Sequence, residues 1–187
     1  MNRWNRLRLI AAFAILVGVV LACGQGLAIF KVDVYSFIQG SGNDTIPYVI
    51  PPSSTGTAST VQKISLPPGF GSSIVQSATI DTGAANLINS AGTGTVGFQL
   101  YAAADSASTY LPASLAVDVP ETAVTGTNTS TLTISGGLTP AVLAVFSGSE
   151  AWIRFVAKGT NPNVTPVTGN MALTALKLRI VVQDKIF

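Results

Sequence analysis

The sequence predicts an all-β domain: an antiparallel β-sandwich of jelly-roll or immunoglobulin-like topology, with about eight strands behind an N-terminal signal helix. Three observations carry this. Ser, Thr, Gly, Ala and Val dominate the chain after its first 22 residues, while the helix formers Glu, Lys, Arg and Gln are scarce. Short runs alternate apolar and polar residues with period two, the mark of a strand buried on one face. Gly, Pro, Asn and Asp separate the runs, and two sheets of this kind must cover one another's apolar faces.

The first run, 27–38, sets Ala28, Phe30, Val32 and Val34 on one face against Lys31, Asp33 and Tyr35 on the other. A long loop is expected over 39–60, where Gly42, Asn43, Asp44, Pro47, Pro51 and Pro52 precede a Ser/Thr/Gly stretch too long for a hairpin turn. Strands follow at 61–66, 73–81 and 95–103, the last alternating Val96, Phe98, Leu100 and Ala102 with Gly97, Gln99 and Tyr101. Further strands are expected at 115–119, 130–135, 152–158 and 174–183, the last with Leu176, Leu178, Ile180 and Val182 inward. Thr139 followed by Pro140 has the cap and first-turn chemistry of a short helix that Gly148 could end. A second helical turn is expected at 83–89, behind Thr82.

The first 22 residues have the order of a secretory signal. Arg3, Arg6 and Arg8 form a basic start, and 9–22 is uncharged and apolar, interrupted only by Gly18. As a helix this run spans roughly 21 Å, short of a hydrocarbon layer of roughly 30 Å, so a signal peptide fits better than a permanent span. It ends in Val20-Leu21-Ala22-Cys23, and Cys23 is the one cysteine of the chain. That string resembles the bacterial lipobox, although Leu21 is bulkier than the residue usual at its position. The resemblance implies cleavage before Cys23 and modification of its sulfur and new amine by acyl chains such as palmitate. Two or more chains hold stably, since each buried methylene contributes about 0.8 kcal/mol. It covers four residues and the preceding signal, and so indicates a processing route and not a fold family. Ordinary cleavage after Ala22 or Ala28, giving a secreted soluble product, is the alternative.

The expected organisation is therefore a signal peptide at 1–22 and a single domain at 23–187. The domain is exported and anchored in the cell envelope, at the outer membrane in a diderm host because Gly24 is not the Asp associated with inner-membrane retention. The first strand begins four positions after Cys23, which limits the tether to roughly 14 Å. Removing the signal removes three positive charges: seven Lys and Arg remain against eight Asp and Glu, a net charge of −1. The surviving cations form no run that could track phosphates, so no nucleic-acid partner is expected. With no second cysteine, the domain must hold together by its core.

The sequence contains no histidine, which excludes His-based acid and base catalysis, Ser-His-Asp triads and ordinary zinc sites. Asp118 and Glu121 are the closest carboxylates, and Pro120 between them signals a strand end and a solvated turn. Segment 40–45 offers Asn43 and Asp44 but lacks the spaced acids and terminal Glu of an EF-hand loop. No enzyme, no metal and no cofactor is expected. The aromatic residues give the one hint of binding: Trp152, Tyr35 and Tyr101 fall on the polar faces of their runs, where a ring could stack on a sugar. Two functions follow, a structural or protein-interaction lipoprotein meeting another envelope component, or a carbohydrate- or small-ligand-binding one. A hydrolase comes a distant third.

Overall fold

Period-two burial organises almost every strand of the chain. The computed structural model describes residues 26–39, 43–66 and 74–184, so Cys23 and the signal segment lie outside the described residues. The elements in order are β1 (Gly26–Asp33), α1 (Val34–Gln39), β2 (Thr45–Ile50), β3 (Ser54–Ser65), β4 (Ile74–Ala91), β5 (Thr93–Ala103), β6 (Leu115–Thr125), β7 (Asn128–Thr133), α2 (Pro140–Leu143), β8 (Glu150–Asn161) and β9 (Val167–Asp184). Two short 3₁₀ turns, Ala107–Tyr110 and Pro112–Ser114, lie between β5 and β6, and a third, Ala144–Ser147, continues α2.

One sheet has the order β2-β9-β4-β7 and the other β3-β8-β5-β6, with every pairing antiparallel. β1 extends the first sheet by pairing with the C-terminal half of β9, beyond the half taken by β2. From β2 to β9, every connection except β5 to β6 crosses between sheets, which is the winding of a jelly roll. The topology left open between jelly roll and immunoglobulin-like is thereby settled. Between the sheets lie Phe98, Ile153, Phe155, Leu178 and Ile180, all buried, with the Phe98 and Phe155 rings 6.1 Å apart.

Several expectations need correction. The run over 27–38 is a strand only to Asp33. There the Asp33 carboxylate accepts the Ser36 backbone N–H at 3.3 Å and the Ser36 hydroxyl donates to the Asp33 carbonyl at 2.8 Å. These local bonds start a helix, as short polar side chains do at helix N-termini. Tyr35 therefore belongs to α1 and not to the polar face of a strand. The loop expected over 39–60 contains β2 and most of β3. Pro47 falls in β2 because that strand pairs only with β9, and an edge strand tolerates a proline with no N–H to donate. Ile46, Tyr48 and Ile50 alternate inward along it.

Residues 83–89 are not helical. They lie in β4, paired with β9 on one side and β7 on the other, and Ala85, Leu87 and Asn89 point inward. A methyl group at Gly83 would collide with the Ile134 carbonyl. Pro120 does not end its strand: β6 continues to Thr125, and the pairing with β5 shifts register between Val96 and Phe98, where Pro120 and Glu121 fall opposite. A bulge at that point leaves the missing N–H without a ladder position to fill. The helix expected behind Thr139 is present as α2 with Pro140 at its first position, although Thr139 makes no side-chain capping bond.

Three buried polar side chains tie together one end of the sandwich. The Tyr48 hydroxyl donates to Asn89 Oδ1 at 3.1 Å, and Asn89 Nδ2 donates to the carbonyls of Gly92 (3.2 Å) and Gly126 (2.5 Å). Asn161 Nδ2 reaches the carbonyls of Ile50, Pro51 and Thr165 at 3.3, 3.1 and 2.8 Å, while its Oδ1 accepts from the Asn163 backbone at 2.9 Å. Burial pushes the Tyr48 phenol up to about 12, because the charged phenolate would lose its hydration.

Candidate functional site

β8 reads Glu-Ala-Trp-Ile-Arg-Phe-Val-Ala-Lys and alternates sharply. Ala151, Ile153, Phe155 and Ala157 enter the core, which places Trp152, Arg154, Val156 and Lys158 on the outer face of the second sheet. Directly opposite residues of an antiparallel pair share a face. Tyr101 of β5 lies opposite Arg154, Ala103 opposite Trp152 and Gln99 opposite Val156. Trp152 and Tyr101 are thus diagonal neighbours on one outer face, both half-buried.

The segment between β5 and β6 folds back over this face. Asp105 starts its first 3₁₀ turn, accepting the Ser108 backbone N–H at 2.9 Å and the Ser108 hydroxyl at 2.6 Å. Those two bonds hold its carboxyl below the usual carboxylate range. The Ser114 hydroxyl donates back to the Ser108 carbonyl at 2.7 Å, closing the segment on itself. The turn delivers Thr109 and Tyr110 to Arg154, whose Nε–H donates to the Thr109 carbonyl at 3.0 Å. The guanidinium carbon lies 4.0 Å from the Tyr101 ring centroid and 4.5 Å from that of Tyr110. Arg154 is only 8% exposed, yet Tyr110 is 60% exposed and Leu111 beside it 56%.

The face is edged by two ion pairs. Lys63, opposite Trp152 on β3, reaches Glu150 at 2.7 Å, and Lys158 reaches Asp118 at 2.5 Å. Glu121 accepts a hydrogen bond from Thr95, so Asp118 and Glu121 have different partners.

Of the residues expected to bind a ligand, Trp152 and Tyr101 are brought together and Tyr35 is not. Tyr35 packs half-buried against the core from α1, next to β9 and β3. Cys23 is outside the described residues. No group of three or more Cys, Asp or Glu side chains able to hold a metal occurs among the described residues, and none of their helices is long and apolar enough to cross a membrane. The sequence reading missed Arg154 and Tyr110 as members of the site. One available signal was an arginine in the middle of an apolar strand, on the same face as a tryptophan two positions earlier.

No protein-family model matches the sequence, and no curated protein matches it. Among solved structures, the chain is similar to one described as "Structure of infectious bursal disease virus Gx strain", with a TM-score of 0.45 and 8% sequence identity. The match covers 88% of this chain and 39% of the other, so this chain spans well under half of that chain's length.

Proposed function

We propose that this protein is an acyl-anchored lipoprotein of the bacterial cell envelope whose sandwich has a structural or protein-interaction role and no catalytic one. The observation that carries this reading is Cys23 at the end of the signal-like segment, preceded by Val20, Leu21 and Ala22. β1 begins at Gly26, so three residue steps, roughly 10 Å at full extension, separate the acylated sulfur's residue from the sandwich. Such a short tether suits a domain that stays at the membrane surface and presents its loops to a neighbour. The absence of histidine from the sequence and the engagement of Asp118 and Glu121 with separate partners support a non-catalytic role. Labelling cells with a fatty-acid analogue tests it: the wild-type protein takes up label and Cys23→Ser does not. Equal labelling of both, or of neither, would sink the lipoprotein reading.

A second reading, a carbohydrate- or small-ligand-binding lipoprotein, is favoured by one specific observation. Trp152 and Tyr101 share the outer face of the second sheet, beside the exposed Tyr110 ring. Aromatic rings with one accessible face are suited to stacking on apolar sugar faces. Glycan-array binding that disappears in Trp152→Ala would support this reading over the purely structural one.

A further inference from the structure

We propose that the free edge of the Arg154 guanidinium binds the carboxylate of an acidic sugar, a uronic-acid unit whose ring lies against Trp152 and Tyr110. This rests on the ligand-binding reading and deepens it, and does not depend on acylation of Cys23.

A guanidinium carries five N–H donors. Arg154 Nε spends its one on the Thr109 carbonyl, and this is the only hydrogen bond Arg154 makes among the described residues. No enclosed side-chain nitrogen or oxygen among those residues lacks a partner, so neither Nη group is fully enclosed and each has an edge open to solvent. The rest of the side chain is covered: 8% of the residue is exposed, and Tyr101 and Tyr110 stack on the guanidinium. What Arg154 offers to the outside is therefore the edge of its plane, the part that forms paired hydrogen bonds with a carboxylate.

The charge is also uncompensated among the described residues. The ion pairs among the described residues are Lys31 with Asp81, Lys63 with Glu150 and Lys158 with Asp118, and none includes Arg154. Among the described residues, no carboxylate serves as the counter-ion of Arg154. Glu150, Asp118 and Asp105, the acids of β8, β6 and the segment folded over this face, are engaged elsewhere, by Lys63, Lys158 and Ser108. A cation so far removed from water without a counter-ion is unfavourable, and the two rings offset only part of that penalty. An incoming carboxylate would supply the missing partner.

The surroundings specify more than an anion. Trp152 is two residues from Arg154 on the same face, about 6.6 Å along the strand, and Tyr110 presents most of its surface to solvent. A pyranose with a carboxylate on its ring combines a flat apolar face on which an aromatic ring can stack with an anionic edge that the fork can take. A simple oxyanion such as phosphate would use the fork and leave both rings idle.

The test titrates the full chain in nonionic detergent, following the Arg154 Nε–H and Trp152 indole N–H by NMR. The probes are tetragalacturonate, the neutral galactose tetramer, sodium acetate and inorganic phosphate. Tetragalacturonate is expected to shift both signals saturably and to bind at least tenfold more tightly than the neutral tetramer. Acetate should move only the arginine signal. Arg154→Lys, which keeps the charge and loses the fork, should weaken tetragalacturonate at least tenfold more than it weakens the neutral tetramer. Tyr110→Ala, at an exposed position, should weaken both sugars. Should Arg154→Lys fail to fold, the wild-type comparison still decides. Equal affinity for the two tetramers overturns the carboxylate site while the aromatic ligand-binding reading stands. Phosphate binding as tightly as tetragalacturonate overturns the sugar-acid assignment. No shift with any probe overturns both.

Discussion

The rim of the sandwich and the outer face of its second sheet both bury polar side chains, and they do so in opposite ways. At the rim, Asn89 and Asn161 are each 1% exposed and fully engaged: both amides donate to more than one carbonyl, and both Oδ1 atoms accept. On the sheet face, Arg154 is nearly as covered but uses one donor of five. A saturated buried network fixes loops and has nothing left to offer a ligand. An unsaturated one with an open edge is built to take a partner. The difference predicts that damage at the rim is read as lost stability, and damage at Arg154 chiefly as lost binding.

The largest effect is expected at Asn161. Truncation to Ala strips the carbonyls of Ile50, Pro51 and Thr165 and the Asn163 N–H of their partner at once. With several backbone groups left unsatisfied, urea unfolding should show a loss of about 2–4 kcal/mol. A loss under about 1 kcal/mol would mean that water replaces the side chain and that the rim is not a closed network. Gly169→Ala tests the same region from the backbone, since a Cβ there would collide with the Ile88 carbonyl and the Tyr48 hydroxyl.

Next comes pH. The Tyr48 phenol is pushed up to about 12 in the folded protein from an ordinary value of 10.0. Its folded form therefore holds the proton longer than its unfolded form. Below pH 10 both are protonated and the group has no pH effect. Between pH 10 and about 12 only the unfolded state ionises, so stability should fall by about 1.4 kcal/mol per pH unit, up to about 3 kcal/mol. Tyr48→Phe removes this decline. The wild-type and variant unfolding curves should converge as pH rises through that window, and parallel curves would refute the assignment.

How much of this contrast the sequence reveals depends on the range of the interactions. Alternation in 95–103 and 152–158 marks β5 and β8 and their inward residues, because side-chain direction in a strand is a local property. The same local rule puts Trp152, Arg154 and Tyr101 on outward faces. It does not reveal that Arg154 and Tyr101 are directly opposite, which is set by register between strands more than fifty residues apart. Nor does it reveal Tyr110, carried to Arg154 by a turn that Asp105 and Ser108 initiate. The misreadings have the same origin. Pro47 and Pro120 look like breakers until the edge and the bulge that accommodate them are known. The 83–89 run has helix-compatible small residues, but its two strand partners decide its conformation.

A smaller stability effect is expected at Arg154 itself. Arg154→Met keeps the apolar stem and removes the charge, the two ring contacts and the bond to Thr109. Losing these destabilises, whereas removing an uncompensated buried charge stabilises. The balance should lie within about 1 kcal/mol in urea unfolding, while tetragalacturonate binding is lost. A loss as large as that at Asn161 would make Arg154 a structural pin of the 104–114 segment and would erase the contrast between the two regions.

The smallest effect marks where the polar face gives way to ordinary surface. Lys158 and Asp118 are 2.5 Å apart on the same outer face, but their side chains are 22% and 46% exposed, so water competes for both. Exposed pairs of this kind are worth about 0–1 kcal/mol and weaken with salt. Lys158→Ala should therefore lower stability by less than about 1 kcal/mol, with the difference disappearing in high salt, and should leave sugar binding untouched. Were it instead to reduce tetragalacturonate affinity as much as Arg154→Lys does, the anion would be held by the general positive potential of the face. The guanidinium fork would then lose its special role, because a lysine ammonium six residues along β8 from Trp152, roughly 20 Å, has neither the planarity nor the fixed donors that distinguish Arg154.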